Sequence, residues 1–368
     1  MHRAVKSLAV IIVVLFAVAL AAGYIYTRQS VVVPHIVPES GQASPVTATH
    51  TFLFENSKIT ISVPVDAGVY AGAKATDKSV SIYGNVSEST WVTDSYLAMV
   101  NDSAQDAMYE SLLSQFRKIR DDQNLSSDEY LELMAAYVQS LTYETTPDNP
   151  AKYPVETVVD GAGDCDDKSL LLAGLLSREN YRVALLSFSP ESHMALGIGS
   201  TASLYKDTGY AYLETTNLSY VGVPPEELNG GIVLSSEPLV IPVGTGTTLY
   251  TSGEETTAIN NLLKTTEQKA KALEPQISSL ASDLSAKQDR IKQMETQMQS
   301  LRSSGNVGAY NAQVSTHNAL VSEYNAELAT YKNLIATYDT YAQVHNYIVS
   351  HAYDRKGTYA WAKANMPA

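Results

Sequence analysis

At 368 residues, 45% of them hydrophobic, the chain has the length of two or three domains and the composition of a folded protein. Its formal net charge of −14 excludes the basic face that a nucleic-acid binder needs, and it suits anionic lipid headgroups poorly. A single cysteine excludes an intrachain disulfide, so packing must carry the stability.

Residues 1–6 carry Arg3 and Lys6 and precede an apolar run, 7–26, reading SLAVIIVVLFAVALAAGYIY. At helical rise this run reaches about 30 Å, the thickness of a bilayer core. The excess of positive charge before it predicts a single-pass membrane protein with its N-terminus cytoplasmic and its bulk extracellular. A cleaved signal peptide is the rival reading, because Ala17-Val18-Ala19 and Ala19-Leu20-Ala21 resemble a cleavage site. From 27 to 50, Pro34, Pro38 and Pro45 sit among Ser, Thr, Val and Gly, which predicts an extended stalk.

Residues 51–125 predict a small region of strands followed by helix. Phe52 and Phe54 share one face, and Ile59, Ile61, Val63 and Val65 share another; Val80 and Ile82 repeat the alternation. Beyond Thr93 the period becomes helical, with Met108, Leu112, Phe116 and Ile119 on one stripe. A capping box at Ser126-Ser127-Asp128-Glu129 opens the next helix, whose buried stripe is Leu131, Met134, Val138 and Leu141. A Pro/Asn/Asp loop then leads to YPVETVVDGAGDCDDKSLLLAGLL, a Gly- and Asp-rich loop running into an amphipathic helix that begins at Cys165. Three strand-like runs follow at 181–188, 193–198 and 210–215, and a Val/Ile/Pro-rich stretch at 233–250 closes the region. A helix followed by an antiparallel sheet predicts an α+β domain over 126–252.

From 254 to 350 the texture changes. Leu273, Ile277, Leu280, Leu284, Ile291, Met294, Met298 and Leu301 step by four and three, with Lys287 in the gap. The pattern resumes beyond 303–308 from Tyr310 to His345. This predicts a long antiparallel helical hairpin, a coiled coil whose Tyr and His seam positions imply loose packing. Pro275 predicts a kink or a helix start in the first arm. Residues 351–368 read as a tail.

The chemistry concentrates at 165–214. A thiolate at a helix N-terminus is favoured by the helix dipole and by a neighbouring imidazolium. Asp164, Asp166 and Asp167 oppose it unless they cap the helix. A lone Cys is also a common small buried hydrophobe, His193 has a reading as an ordinary core or surface histidine, and Glu214 one as a solvent-facing residue. Taken in order, a thiol, an imidazole and a carboxylate are the parts of a nucleophile with its base and orienter. The acidic stretch DGAGDCDD does not follow the spacing of a calcium loop, so no metal and no cofactor is expected. The tripeptides at Asn85, Asn101, Asn124 and Asn217 are compatible with glycosylation outside the cell.

The residues YPVETVVDGAGDCDDKSLLLAGLL, then HMALGI from His193, then YLETT from Tyr212, resemble the core of the transglutaminase-like superfamily over about a quarter of the chain. These are cysteine-dependent acyl-transfer and hydrolysis domains related to papain-type peptidases. The resemblance implies Cys165 as nucleophile, His193 as base and Glu214 as orienter, although the family acid is usually Asp. Gln139 on the preceding helix is a side-chain candidate for an oxyanion donor, beside the Cys165 backbone N–H.

The expectation is a membrane-anchored cysteine peptidase or amidase whose substrates are extracellular or envelope proteins or peptides. A lysine acceptor in place of water would make it a cross-linking transglutaminase. The alternative from another class is a surface scaffold or adhesion protein, in which the domain binds peptide without turnover. In either case the membrane is a partner through the N-terminal helix, and the hairpin offers a surface for a protein partner.

Overall fold

The structure, a computed structural model, describes Val18 and residues 30–41, 44–145, 150–228 and 231–366. The apolar run 7–26, expected to span a membrane, lies outside the described residues except for Val18. No helix among the described residues is long and apolar enough to cross a membrane. The chain divides into two compact units, Met1–Thr256 and Thr257–Ala368.

The first unit is α+β. Its sheet holds β7 (Val183–Phe188), β8 (His193–Ile198), β9 (Ala211–Leu213) and β10 (Leu239–Val243) in the order β10-β7-β8-β9, all antiparallel. Helix α6 (Cys165–Arg178) packs against β7 and β8. Leu170, Leu171, Leu172, Leu175 and Leu176 are fully buried there, because five leucines within two turns leave that helix little polar face. Helix α4 (Ser127–Ser140) lies against α6. It opens with the expected capping box: Glu129 N–H donates to Ser126 Oγ at 3.3 Å, and Ser126 N–H donates to Glu129 Oε2 at 2.8 Å. Ser126→Ala is expected to lower stability by about 1 kcal/mol in a thermal melt.

A hairpin of β2 (Val46–Phe54) and β3 (Ser57–Val65) packs its buried face, Phe52, Phe54, Ile59, Ile61, Val63 and Val65, on α3 (Asp106–Gln123) and α4. The strict alternation of these strands leaves their Thr and Ser residues in solvent. Phe52 and Phe116 both meet Tyr137 edge-on, at centroid distances of 5.6 and 5.4 Å.

The expected stalk at 27–50 is corrected by the structure. Strand β1 (Ser30–Val32) pairs with β4 (Ser81–Tyr83), and β2 already begins at Val46. Ile36 is buried and its N–H donates to Asp102 Oδ2 at 2.8 Å. Burial of Ile36, between Pro34 and Pro38, holds the segment on the domain, while Val37 stays exposed.

In the second unit two helices follow one another, α7 (Gly253–Ser303) and α8 (Val307–Ser350), across a turn where Gly305 takes a positive φ of 74°. Lys287 pairs with Glu323 and Glu327, and Glu295 meets His317 at 3.5 Å, so the helices return along one another. The four-and-three positions named above are the less exposed ones, with Leu284 and Met298 buried. Helix α7 runs through Pro275 without a break. Pro275 lies on an exposed face of the helix. The expected tail contains a further helix, α9 (Arg355–Asn365), capped by Asp354 and held by Trp361 stacked on Tyr347 at 3.7 Å.

Candidate active site

Cys165 is the first residue of α6, and Asp164 is its N-cap. Asp167 N–H donates to Asp164 Oδ1 at 3.4 Å while Asp164 N–H donates to Asp167 Oδ2 at 3.2 Å. Asp167 also accepts from Lys152 N–H at 2.5 Å. Asp166 Oδ1 also accepts Asp167 N–H, at 3.1 Å, so all three aspartates are aimed at backbone amides. Gly163 permits this: a Cβ there would lie 2.6 Å from Asp167 Cβ. Burial and the adjoining Asp164, to which it is hydrogen-bonded, push Asp166 well above the carboxylate range. Asp166 thus resists ionisation beside Asp164, while its charge is also one of the influences that raise the Cys165 thiol.

His193 opens β8, and sheet parity sets its face. Gly197 opposes Tyr212 across β8 and β9, so His193 and Ala195 share a face with Tyr212 and Glu214. His193 Nε2 lies 3.2 Å from Glu214 Oε2 and 3.2 Å from Tyr212 Oη. Tyr212 O–H donates to the same Oε2 at 2.6 Å. A carboxylate only accepts, so Nε2 carries a hydrogen toward Glu214.

Glu214 is buried just past β9. Its Oε1 accepts from Thr215 N–H at 3.0 Å, Thr216 N–H at 2.9 Å and Thr216 Oγ1 at 2.7 Å. The Glu-Thr-Thr run thus supplies its own anion cradle. Burial opposes its ionisation, but the bond and charge of His193, then Tyr212 and Thr216, outweigh it and hold the carboxyl down to about 2.

The Cys165 sulfur accepts the backbone N–H of Met194, the residue beside His193. Burial, helped by Asp166, pushes the thiol up to about 12. Cys165, His193 and Met194 line one pocket of about 280 Å³ with Tyr96, Asp166 and Phe188.

The structure corrects the reading of Gln139. Its side chain is buried, and Nε2 donates to Glu214 O at 2.7 Å and Ser219 O at 3.1 Å. Both amide hydrogens are engaged, so Gln139 holds the Glu214 loop and cannot serve an oxyanion.

Sequence reasoning missed two residues. Tyr212 bridges the imidazole and the acid; its signal was its place two residues before Glu214, on the same strand face. Lys168 is fully buried, and its ammonium donates to Gln139 O, Leu141 O and Thr216 O at 3.1, 3.0 and 3.2 Å. It ties the cysteine helix to the end of α4 and to the loop that holds Glu214. Ser169 Oγ adds a link to Thr215 Oγ1 at 2.9 Å.

Asp164, Cys165 and Asp166 bring one ligand atom each within 4.8 Å of one another. The set joins two hard carboxylates to a soft thiol, and those carboxylates already engage each other and backbone amides, which makes a poor cation site. No family model, no curated protein and no solved structure matches the chain.

Proposed function

We propose that this chain is a membrane-anchored, transglutaminase-like thiol enzyme, a cysteine peptidase or amidase acting on extracellular or envelope proteins. The observation that carries the reading is the 3.2 Å contact of His193 Nε2 with Glu214, on an imidazole that shares a pocket with the only cysteine. Glu214 orients the ring and stabilises the imidazolium, which leaves Nδ1 to take the thiol proton. The sulfur attacks an amide carbonyl, and His193 returns the proton to the leaving amine as the C–N bond breaks. Water, deprotonated by His193, then cleaves the thioester. A lysine amine in place of water gives the cross-linking variant. The Cys165 backbone N–H, at the positive end of α6, is the oxyanion donor that fits this scheme.

One observation favours a second reading, a peptide-binding scaffold without turnover. A thiol pushed up to about 12 is unreactive by itself. The two readings separate on iodoacetamide labelling of Cys165 across pH. The enzyme reading expects labelling at pH 7 that falls at least about tenfold in His193→Ala, whose remaining reaction moves to alkaline pH. Equal labelling curves for the two proteins would exclude an activated nucleophile.

A further inference from the structure

A second cavity, of about 480 Å³, adjoins the Cys165 pocket. The two share Tyr96 and Asp166 as a common wall. Val80, Ile82, Trp91, Val92 and Met99 line the second cavity, supplied by β4 with the residue before it and by α2 (Glu88–Asn101). Met99 is buried as its floor, Trp91 and Val92 are half-buried, and Ile82 is 43% exposed at its rim. Side chains of this kind, held half-open to water by a strand and a helix, gain most by covering a further apolar group. Lys78 also lines the cavity, with its ammonium held on Glu156 at 2.9 Å, and the apolar side chains form the rest of the wall toward Tyr96.

We infer that this cavity is a specificity subsite, which takes a large aromatic or branched aliphatic side chain on the acyl side of the amide attacked by Cys165. The assignment rests on the thiol-enzyme reading above for its chemistry, and on the continuity of the two cavities for its geometry. A chain whose carbonyl carbon lies at the Cys165 sulfur passes Tyr96 and Asp166 and enters the space between Trp91 and Met99. The substrate class is thus narrowed from any amide to polypeptides with a bulky apolar residue one position before the residue whose carbonyl is attacked.

The chain holds two tryptophans, Trp91 and Trp361. Trp361→Phe therefore leaves Trp91 as the sole indole reporter inside the cavity. In the full chain with Trp361→Phe and Cys165→Ser, acetyl-X-Gly amides with X as Phe, Leu or Gly are titrated against Trp91 fluorescence. The same peptides, as aminocoumarin amides, are offered to the wild-type protein for turnover. The inference expects Phe and Leu to bind and to react at least about tenfold better than Gly. Val92→Asp, with a melting temperature near that of its parent, should abolish the preference in both assays. Equal binding and equal kcat/KM for the three peptides overturn the subsite while leaving the enzyme intact. Selective binding of Phe with no turnover of any peptide upholds the cavity and overturns the thiol chemistry, so the two failures are distinguishable.

Discussion

Glu214→Gln is expected to lower kcat/KM by about 10²- to 10⁴-fold with KM little changed. The amide still offers Oε1 to Thr215 and Thr216, so the loop keeps its shape. The charge facing His193 Nε2 is lost, and with it the stabilisation of the imidazolium formed when the thiol gives up its proton. The variant also tests stability. In the wild type the fall of the Glu214 carboxyl from an ordinary 4.5 to about 2 is equivalent to about 3 kcal/mol at neutral pH. The folded carboxylate binds its proton more weakly than the unfolded one. Its contribution is therefore complete above pH 4.5 and disappears as pH falls toward 2. Denaturant melts of the wild type and the variant should differ most at neutral pH and converge across that window. A gap independent of pH would show that the carboxylate is not held as described, and unchanged turnover would remove Glu214 from the mechanism.

Lys168→Ala is expected to destabilise the first unit by about 4 kcal/mol. It leaves the carbonyls of Gln139, Leu141 and Thr216 without this donor, at about 1–3 kcal/mol for each buried acceptor left unsatisfied, and it opens a cavity where the stem lay. Relief of a buried charge offsets part of this. Burial, opposed by the charge of Glu214, pushes the ammonium from 10.5 down to about 8, equivalent to about 3 kcal/mol at pH 7. Lys168→Met restores the stem volume and should recover about half of the loss, measured by urea unfolding. Between pH 8 and 10.5 the unfolded lysine holds more protons than the folded one. Wild-type stability should therefore rise over that window relative to either variant. Melts of Lys168→Ala that coincide with wild type would mean that the three carbonyl contacts contribute nothing.

The reading of Cys165 itself is altered by its surroundings. Three aspartates beside a sulfur suggested a strong electrostatic objection to a thiolate. Two of them prove to be the reciprocal cap of α6, and the third accepts a backbone amide and is hydrogen-bonded to Asp164. What opposes the thiolate is chiefly burial. The base must therefore act at the moment of attack, by accepting the proton, more than by holding a resting anion.

Much of the fold was legible along the chain because its signals are local. The helical stripe of α4, its Ser126–Glu129 cap, the bounds of β8 and the four-and-three stepping of α7 and α8 each depend on residues a few positions apart. The order of Cys165, His193 and Glu214 was legible for the same reason: it is an order of elements, a helix start and two strands. What needed the tertiary structure is what depends on distant partners. Strand β10 joins β7 more than fifty residues away, and β1 finds β4 at a similar distance, so a stretch rich in proline and valine that read as a stalk became part of the domain. Gln139 sat on a correctly read helix, yet the direction of its amide was set by a loop seventy-five residues later. Lys168 drew no reading from the sequence, because the three carbonyls that close around it come from two other segments. Periodicity tells which face of an element is buried; only the packing of one element on another decides which polar groups meet there, and at this site those meetings carry the chemistry.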